Sequence, residues 1–500
     1  MKEIKLKNPH YGIKHDLLKK DLPEIKKSKL LRLIRRRVPI FMDGYRYASY
    51  AVKKRWGLDI IFIESGYEQV KQLWIDDRLH DDAAKLWLDK IDSDKTFSKN
   101  LIKEFLGIIK LEKNIYNTLS KEKIINKDKI QKYILAHLDY WVKFFELAYL
   151  WFSIEKIQRN IDDQIKQSWN GKSEDLDFFL MSIYRPMQLP PTSVEQRELL
   201  KIVNLKDAEF DRVLQRHWKK YRHLSLHNID DEYFNLEYYQ KRIKALRESK
   251  KEYKKEQEQV KVADKEIEIA NNLIKDAKLP KRLKDKISLV RWFMYIRTAS
   301  IDYFMLVNAA YKPVFESLSD LFELPMDAVL HMTYKEILDS LKKGKLSISR
   351  SLILDRTKNG YAYLIAPHGS YLVTGKEVDE LHSLVIPKEK AKKIKELKGQ
   401  TAFHGKVSGI ARVILDRRNA HELKKGEILV TTMTSPEFVP AMKKSAGIVT
   451  NEGGVLCHAA IMARELRKPA VIGTQIATDT IKTGQKITID ADNGVIHLGK

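Results

Sequence analysis

A chain of 500 residues that is 43% hydrophobic can bury substantial cores, at roughly one domain per ~150 residues, so it is neither disordered nor fibrous. Its single cysteine, Cys457, excludes an internal disulfide framework and a cysteine-rich zinc cluster. The net charge of +25 invites a polyanionic partner, yet the basic residues interleave with Asp and Glu and form no single stripe, so nucleic acid is not expected.

The first residues, Met1-Lys2-Glu3-Ile4-Lys5-Leu6-Lys7, contain no apolar h-region. Lys26, Lys27, Lys29, Arg32, Arg35, Arg36 and Arg37 crowd one segment that could meet phosphates or a membrane surface. Leu30, Leu31, Leu33 and Ile34 equally make it an amphipathic helix. Only six glycines fall in residues 1–343 against 15 in 344–500, and no proline lies between Pro39 and Pro186. The first part therefore reads as helical, with patterns over 68–90, 97–120, 126–168, 193–203 and 207–222. Its most apolar window, Tyr140 to Ile154, carries Lys143 and Glu146 and is too short to cross a bilayer. No transmembrane segment is expected, and the expected location is cytoplasmic.

Arg185-Pro186-Met187-Gln188-Leu189-Pro190-Pro191 is a rigid break. Beyond it, Leu246, Tyr253, Val260, Ile267 and Ile274 recur every seven residues, which predicts one long helical arm over 236–279. A further helical block at 281–342 holds Trp292-Phe293-Met294-Tyr295 and Tyr303-Phe304-Met305, core side chains or the lining of an apolar acceptor pocket. From 346 to 375 the pattern reads as strands, with turns at Lys358-Asn359-Gly360 and His368-Gly369. Residues 387–400 are charged and poor in large apolar groups, the signature of a linker. The remaining chain alternates strand candidates (403–415, 428–432, 446–450, 470–473, 487–490, 494–498) with helix candidates (437–444, 457–466). The expected fold class is thus multidomain. A mainly helical amino-terminal region (1–190) precedes a helical central region (191–386) with the arm and a small antiparallel β section. The linker then leads to a carboxy-terminal α/β domain (401–500).

His458 stands where a strand-like run ends, a glycine pair follows, and an apolar-periodic helix begins. That position aims backbone N–H groups and the positive helix end at whatever the imidazole carries. An imidazole with pKa near 6.5 has a free ring nitrogen at neutral pH, as a phosphoryl acceptor requires. Gly453 and Gly454 permit close backbone approach, because no Cβ stands in the way. Arg464, late in the same helix, is placed to pair with backbone or acidic groups. Cys457 has no assigned base and is not expected to act as a nucleophile.

The run Thr450-Asn451-Glu452-Gly453-Gly454-Val455-Leu456-Cys457-His458-Ala459-Ala460-Ile461-Met462-Ala463-Arg464-Glu465-Leu466, followed by Lys468-Pro469-Ala470-Val471-Ile472-Gly473, resembles the mobile phosphohistidine domain of the phosphoenolpyruvate-utilising enzymes. The likeness extends through 403–498, including Ser435-Pro436-Glu437, Gly484-Gln485, Asp490 and Gly494. It implies that 401–500 is a swivelling domain and that His458 carries a phosphoryl group. Thr450, Gly453, Gly454, Cys457 and Ala459 would support the phosphate, and Glu452 and Arg464 would support the motif. Several family members carry threonine two residues before the histidine, where this chain has Leu456.

No stretch of 1–343 resembles the glycine-rich loop of an ATP-grasp domain, and Lys500 ends the sequence where the phosphoenolpyruvate-binding barrel would follow. The layout resembles the back portion of synthase-like and rifampicin phosphotransferase-like proteins, on Pro191-Thr192-Ser193 with Glu195, His217 to Tyr221, the long helix and Leu372-Val373-Thr374-Gly375. The expectation is a phosphotransferase component charged by a separate ATP-grasp protein, which would supply ATP and Mg2+, and discharged to an unknown small-molecule acceptor in the helical region. No metal site is expected in the chain itself. A bare phosphohistidine relay, or a basic nucleic-acid- or membrane-associated protein with a degenerate histidine domain, are the alternatives.

Overall fold

The computed structural model describes residues 9–11, 14–27, 30–36, 44–58, 60–67, 70–76, 78–121, 126–148, 153–169, 172–386, 396–434, 438–452 and 458–499. It is mostly helical, with two mixed sheets. The first sheet uses β1 (His10–Tyr11), β2 (Leu30–Arg36), β3 (Phe62–Tyr67), β4 (Val70–Asp76), β5 (Tyr361–Ala366) and β6 (Gly369–Thr374), in the order β1-β6-β5-β3-β4-β2. Four of these strands come from the amino-terminal region expected to be mainly helical. Their pairing is long-range: Glu64 of β3 lies opposite Tyr363 of β5. Sheet formation across some 300 residues of sequence outweighs a local helical period.

Two segments change type as a result. The basic stretch expected as one amphipathic helix divides into the helix His15–Lys27 and the edge strand β2, leaving 28, 29 and 37 outside the described residues. The pattern over 68–90 becomes β4 and the helix Arg78–Ser93, joined where the backbone N–H of Arg78 donates to Asp76 Oδ1 at 3.1 Å. Two further boundaries shift. Residues 350–359, expected as strand, form the helix Arg350–Asn359, capped by the Ser349 side chain. The arm predicted as one helix is two, Leu236–Glu248 and Lys250–Asp276 (the arm helix), because Ser249 leaves the helical conformation and its side chain caps Glu252.

The central helix, Lys281–Phe322, runs 42 residues through the largest core with apolar residues buried on all sides. Phe293 packs edge-on against Phe105 and 5.2 Å from Trp87, so Phe293 and Tyr295 of the aromatic run are core, with Trp292 and Met294 half-buried against it. A fully buried Arg356 joins helices to the first sheet: its two terminal nitrogens reach Glu336 at 2.8 Å, and Tyr11 of β1 donates to the same carboxylate.

The second sheet holds β7 (Glu396–Lys398), β8 (Gln400–Phe403), β9 (Lys406–Val413), β10 (Ile428–Thr431), β11 (Gly447–Thr450), β12 (Ala470–Ile472), β13 (Lys486–Asp490) and β14 (Val495–Leu498). Its order is β7-β14-β13-β9-β10-β11-β12-β8. Neighbours β9, β10, β11 and β12 run parallel, and the outer strands are antiparallel. Buried on both faces, β10, β11 and β12 read as apolar runs. Leu429, Ile448 and Ala470 enter one core, while Ile428, Val430, Val449 and Val471 enter the other. The predicted linker shrinks accordingly. Residues 387–395 lie outside the described residues, but β7 pairs with β14 and Gln400 opens β8.

Candidate functional site

The site is built at the carboxyl edge of the parallel strands, where open α/β sheets place ligands. β11 ends at Thr450, and the helix His458–Leu466 begins seven residues after Asn451. Position 458 is therefore the first residue of that helix, at its positive end. Gly453, Gly454 and Cys457, with Val455 and Leu456, lie outside the described residues.

Buried hydroxyls and amides fix the loop on its strand side. Asn451 N–H donates to the Thr431 carbonyl at 3.1 Å, and Glu452 N–H to that of Thr432 at 2.8 Å. The Asn451 side chain makes a reciprocal clamp with Thr478, donating to its hydroxyl at 2.7 Å and accepting from its backbone N–H at 2.9 Å. Thr474 donates to the Thr450 carbonyl through both its backbone N–H and its hydroxyl. Thr450 itself is fully buried, and its hydroxyl donates to the Glu452 carbonyl at 2.7 Å. Asn451, Thr474 and Thr478 carry this scaffold, and sequence reasoning did not single them out. The signal available was weak: Thr474 and Thr478 simply follow the last parallel strand.

Small residues let the histidine helix sit close to the sheet. Ala459, Ala460 and Ala463 are buried against a core containing Phe438, Met442 and Ile448. Arg464 donates from Nε to the Ala402 carbonyl of β8 at 3.1 Å, so it anchors the helix to the backbone as its position suggested. Glu465, one residue on, leaves the domain altogether. It pairs with Lys255 of the arm helix at 2.9 Å and accepts from Gln259 there. Lys443 pairs with Glu252 of the same helix at 3.4 Å, and Arg417 with Asp231 at 2.8 Å. These contacts lay the histidine domain against the arm.

Behind the arm, segments distant in sequence meet. Glu195 accepts from Arg242 through both oxygens, at 3.2 and 3.1 Å, and lies 3.0 Å from His217 Nε2. Hydrogen bonds from His217 and the charge of Arg242 hold the Glu195 carboxyl below its ordinary range despite burial. Thr192 donates twice to Asp302, whose pKa burial raises to about 6. A cavity of about 330 Å³ between Gln164, Gln167, Ser168, Pro280, Arg282, Leu283 and Lys286 opens at the start of the central helix. Both cations there are committed to Asp92, at 3.0 and 2.9 Å.

Among the described residues no group of three His, Cys, Asp or Glu could hold a metal, and no helix is long and apolar enough to cross a membrane.

Comparison with known proteins falls on this domain. Residues 423–494 match the model of the PEP-utilising enzyme mobile domain. A probable phosphoenolpyruvate synthase of Archaeoglobus fulgidus is 49% identical over 104 residues, covering 21% of this chain and 14% of that protein. The phosphoenolpyruvate synthase of Pyrococcus furiosus is 43% identical over 133 residues, 26% of this chain and 16% of its own length. A probable synthase of Staphylothermus marinus matches at 41% over 150 residues, 27% and 18% of the two chains. The chain thus spans less than a fifth of the length of these relatives.

Proposed function

We propose that this chain, which carries the mobile domain of the PEP-utilising enzymes at 423–494, is a phosphotransferase component that holds a phosphoryl group on His458. The observation that carries the reading is the place of position 458, opening a helix at the carboxyl edge of four parallel strands within the matched domain. An α-helix leaves its first N–H groups without intrahelical acceptors, and those of this helix would face the phosphoryl oxygens together with the positive helix end. A ring nitrogen forms the N–P bond while the electron pair of the broken P–O bond leaves with the donor oxygen. Discharge reverses the sense, with an acceptor hydroxyl oxygen attacking phosphorus and its proton going to solvent or base. Beyond the nucleophilic ring nitrogen, the protein contributes positioning and charge stabilisation.

In this reading a separate ATP-grasp protein binds ATP and Mg2+ and charges His458, and the helical region holds the acceptor. Summed, ATP, water and the acceptor give AMP, phosphate and the phosphorylated acceptor. The relatives' name, phosphoenolpyruvate synthase, supports a dikinase-like charging step. Contact between the histidine domain and the arm supports a discharge site in the helical region. The test mixes the chain with a stand-alone ATP-grasp protein and ATP labelled at the β-phosphorus, then measures acid-labile label. His458→Ala is expected to abolish it; undiminished label in that variant refutes the reading.

A further inference from the structure

Arg291 of the central helix is 3% exposed, and among the described residues no acidic side chain pairs with it. Its Nε donates to the Arg185 carbonyl at 2.7 Å, while its Nη2 is buried with no hydrogen-bond partner. Burial pulls its pKa below the usual guanidinium range, but a guanidinium cannot shed its proton near neutrality. A buried, unpartnered nitrogen on a charged group is costly, and an anion hydrogen-bonded to it offsets part of that cost.

The surroundings locate that place. Residues 185–192, with Pro186, Pro190 and Pro191, form a stiff strap tied to the central helix at both ends. One tie is Arg185 to Arg291, and the other is Thr192 to Asp302, at 2.9 and 3.0 Å. Eleven residues separate the two helical ties, three turns or about 16 Å, which returns them to one face. Arg185 also reaches the arm helix, with Nη2 2.9 Å from Glu266. Glu266 is seven residues beyond Gln259, and position 458 is seven residues before Glu465, the residue Gln259 meets. Those seven residues put the Arg185 end of the strap about 10 Å along the arm from its contact with the histidine domain.

We infer that Arg291 anchors the carboxylate or phosphate group of the small molecule that accepts the phosphoryl group from His458. The acceptor's identity as such rests on the carrier reading above; the anion site stands on Arg291 and its strap.

Inorganic phosphate and acetate probe the two sources of oxyanion. Thermal unfolding of the full chain is followed while each replaces chloride at constant ionic strength. The unfolding temperature should rise saturably with at least one probe, phosphate marking a phosphorylated acceptor and acetate a carboxylate. Arg291→Met should lose that rise and unfold at a higher temperature in chloride, because the unpaired charge is gone. Arg291→Lys, which keeps the charge, should retain a reduced rise. No probe-dependent rise in the wild type, or the same rise in Arg291→Met, overturns the inference. His458→Ala should keep the full rise, so failed labelling beside an intact anion response would refute the carrier and leave the anchor.

Discussion

Among the described residues, three ion pairs and the Gln259–Glu465 hydrogen bond hold the histidine domain against the helical region, and the ion pairs predict how easily it leaves. Arg417–Asp231 is the strongest, at 2.8 Å with the Asp231 side chain only 7% exposed. Glu465–Lys255 at 2.9 Å and Lys443–Glu252 at 3.4 Å are more open to water. Discounted for solvent, the first contributes about 1 kcal/mol and the others about 0.5 kcal/mol each. The total, about 2 kcal/mol, biases docked over undocked by roughly 30-fold. The combined variant Glu465→Ala, Lys443→Ala and Arg417→Ala should therefore lower the docked-to-undocked ratio about 30-fold. Salt should do part of the same, since the screening length shrinks from about 10 Å at 0.1 M to about 3 Å at 1 M. Single-molecule energy transfer between dyes at Lys244→Cys and Lys486→Cys, in a Cys457→Ser background, reads both populations. A distance distribution unchanged by the triple variant and by 1 M salt would refute this account of docking.

Other consequences concern the site and its supports. Asn451→Ala strands a buried N–H and hydroxyl of Thr478, so it should cost about 2–3 kcal/mol in chemical unfolding and reduce acid-labile label on His458. A Cβ at Gly447 would lie 2.8 Å from both Ile489 Cδ1 and Val407 Cγ1 and 3.1 Å from the Pro469 carbonyl oxygen. Gly447→Ala should thus destabilise by about 1–3 kcal/mol, measured as a lowered denaturation midpoint. Burial raises Glu112 from its ordinary 4.5 to about 8, against the hydrogen bond from Tyr140. The folded state then binds the extra proton, so the Glu112 contribution to stability is fully present below pH 4.5 and is lost as pH rises toward 8. Glu112→Gln, which can still accept from Tyr140, should flatten that fall and stabilise by on the order of 2 kcal/mol or more at pH 8, with little change at pH 4.

How much of this molecule could be read from its sequence depended on the range of the interactions involved. In the histidine domain, glycine punctuation and short apolar runs are local signals, and β10 to β14 fall within a residue or two of their predicted places. The helix opened by His458 is equally local, since Ala459, Ala460 and Ala463 mark its buried side within two turns. The first sheet is the opposite case. β4 carries a period that suits a helix, and only its partners β3 and β2 make it a strand. The same divide runs through the site. The strand and the helix that flank the site were legible, whereas the Asn451–Thr478 clamp joins residues 27 apart that no spacing rule connects. Arg291 is the extreme example. Between Val290 and Trp292 it looks like any charge on a long helix, and only packing reveals that its Nη2 is buried without a partner. A helix start is written in neighbouring residues and can be read from them, whereas an unpartnered nitrogen on Arg291 is set by what packs around it.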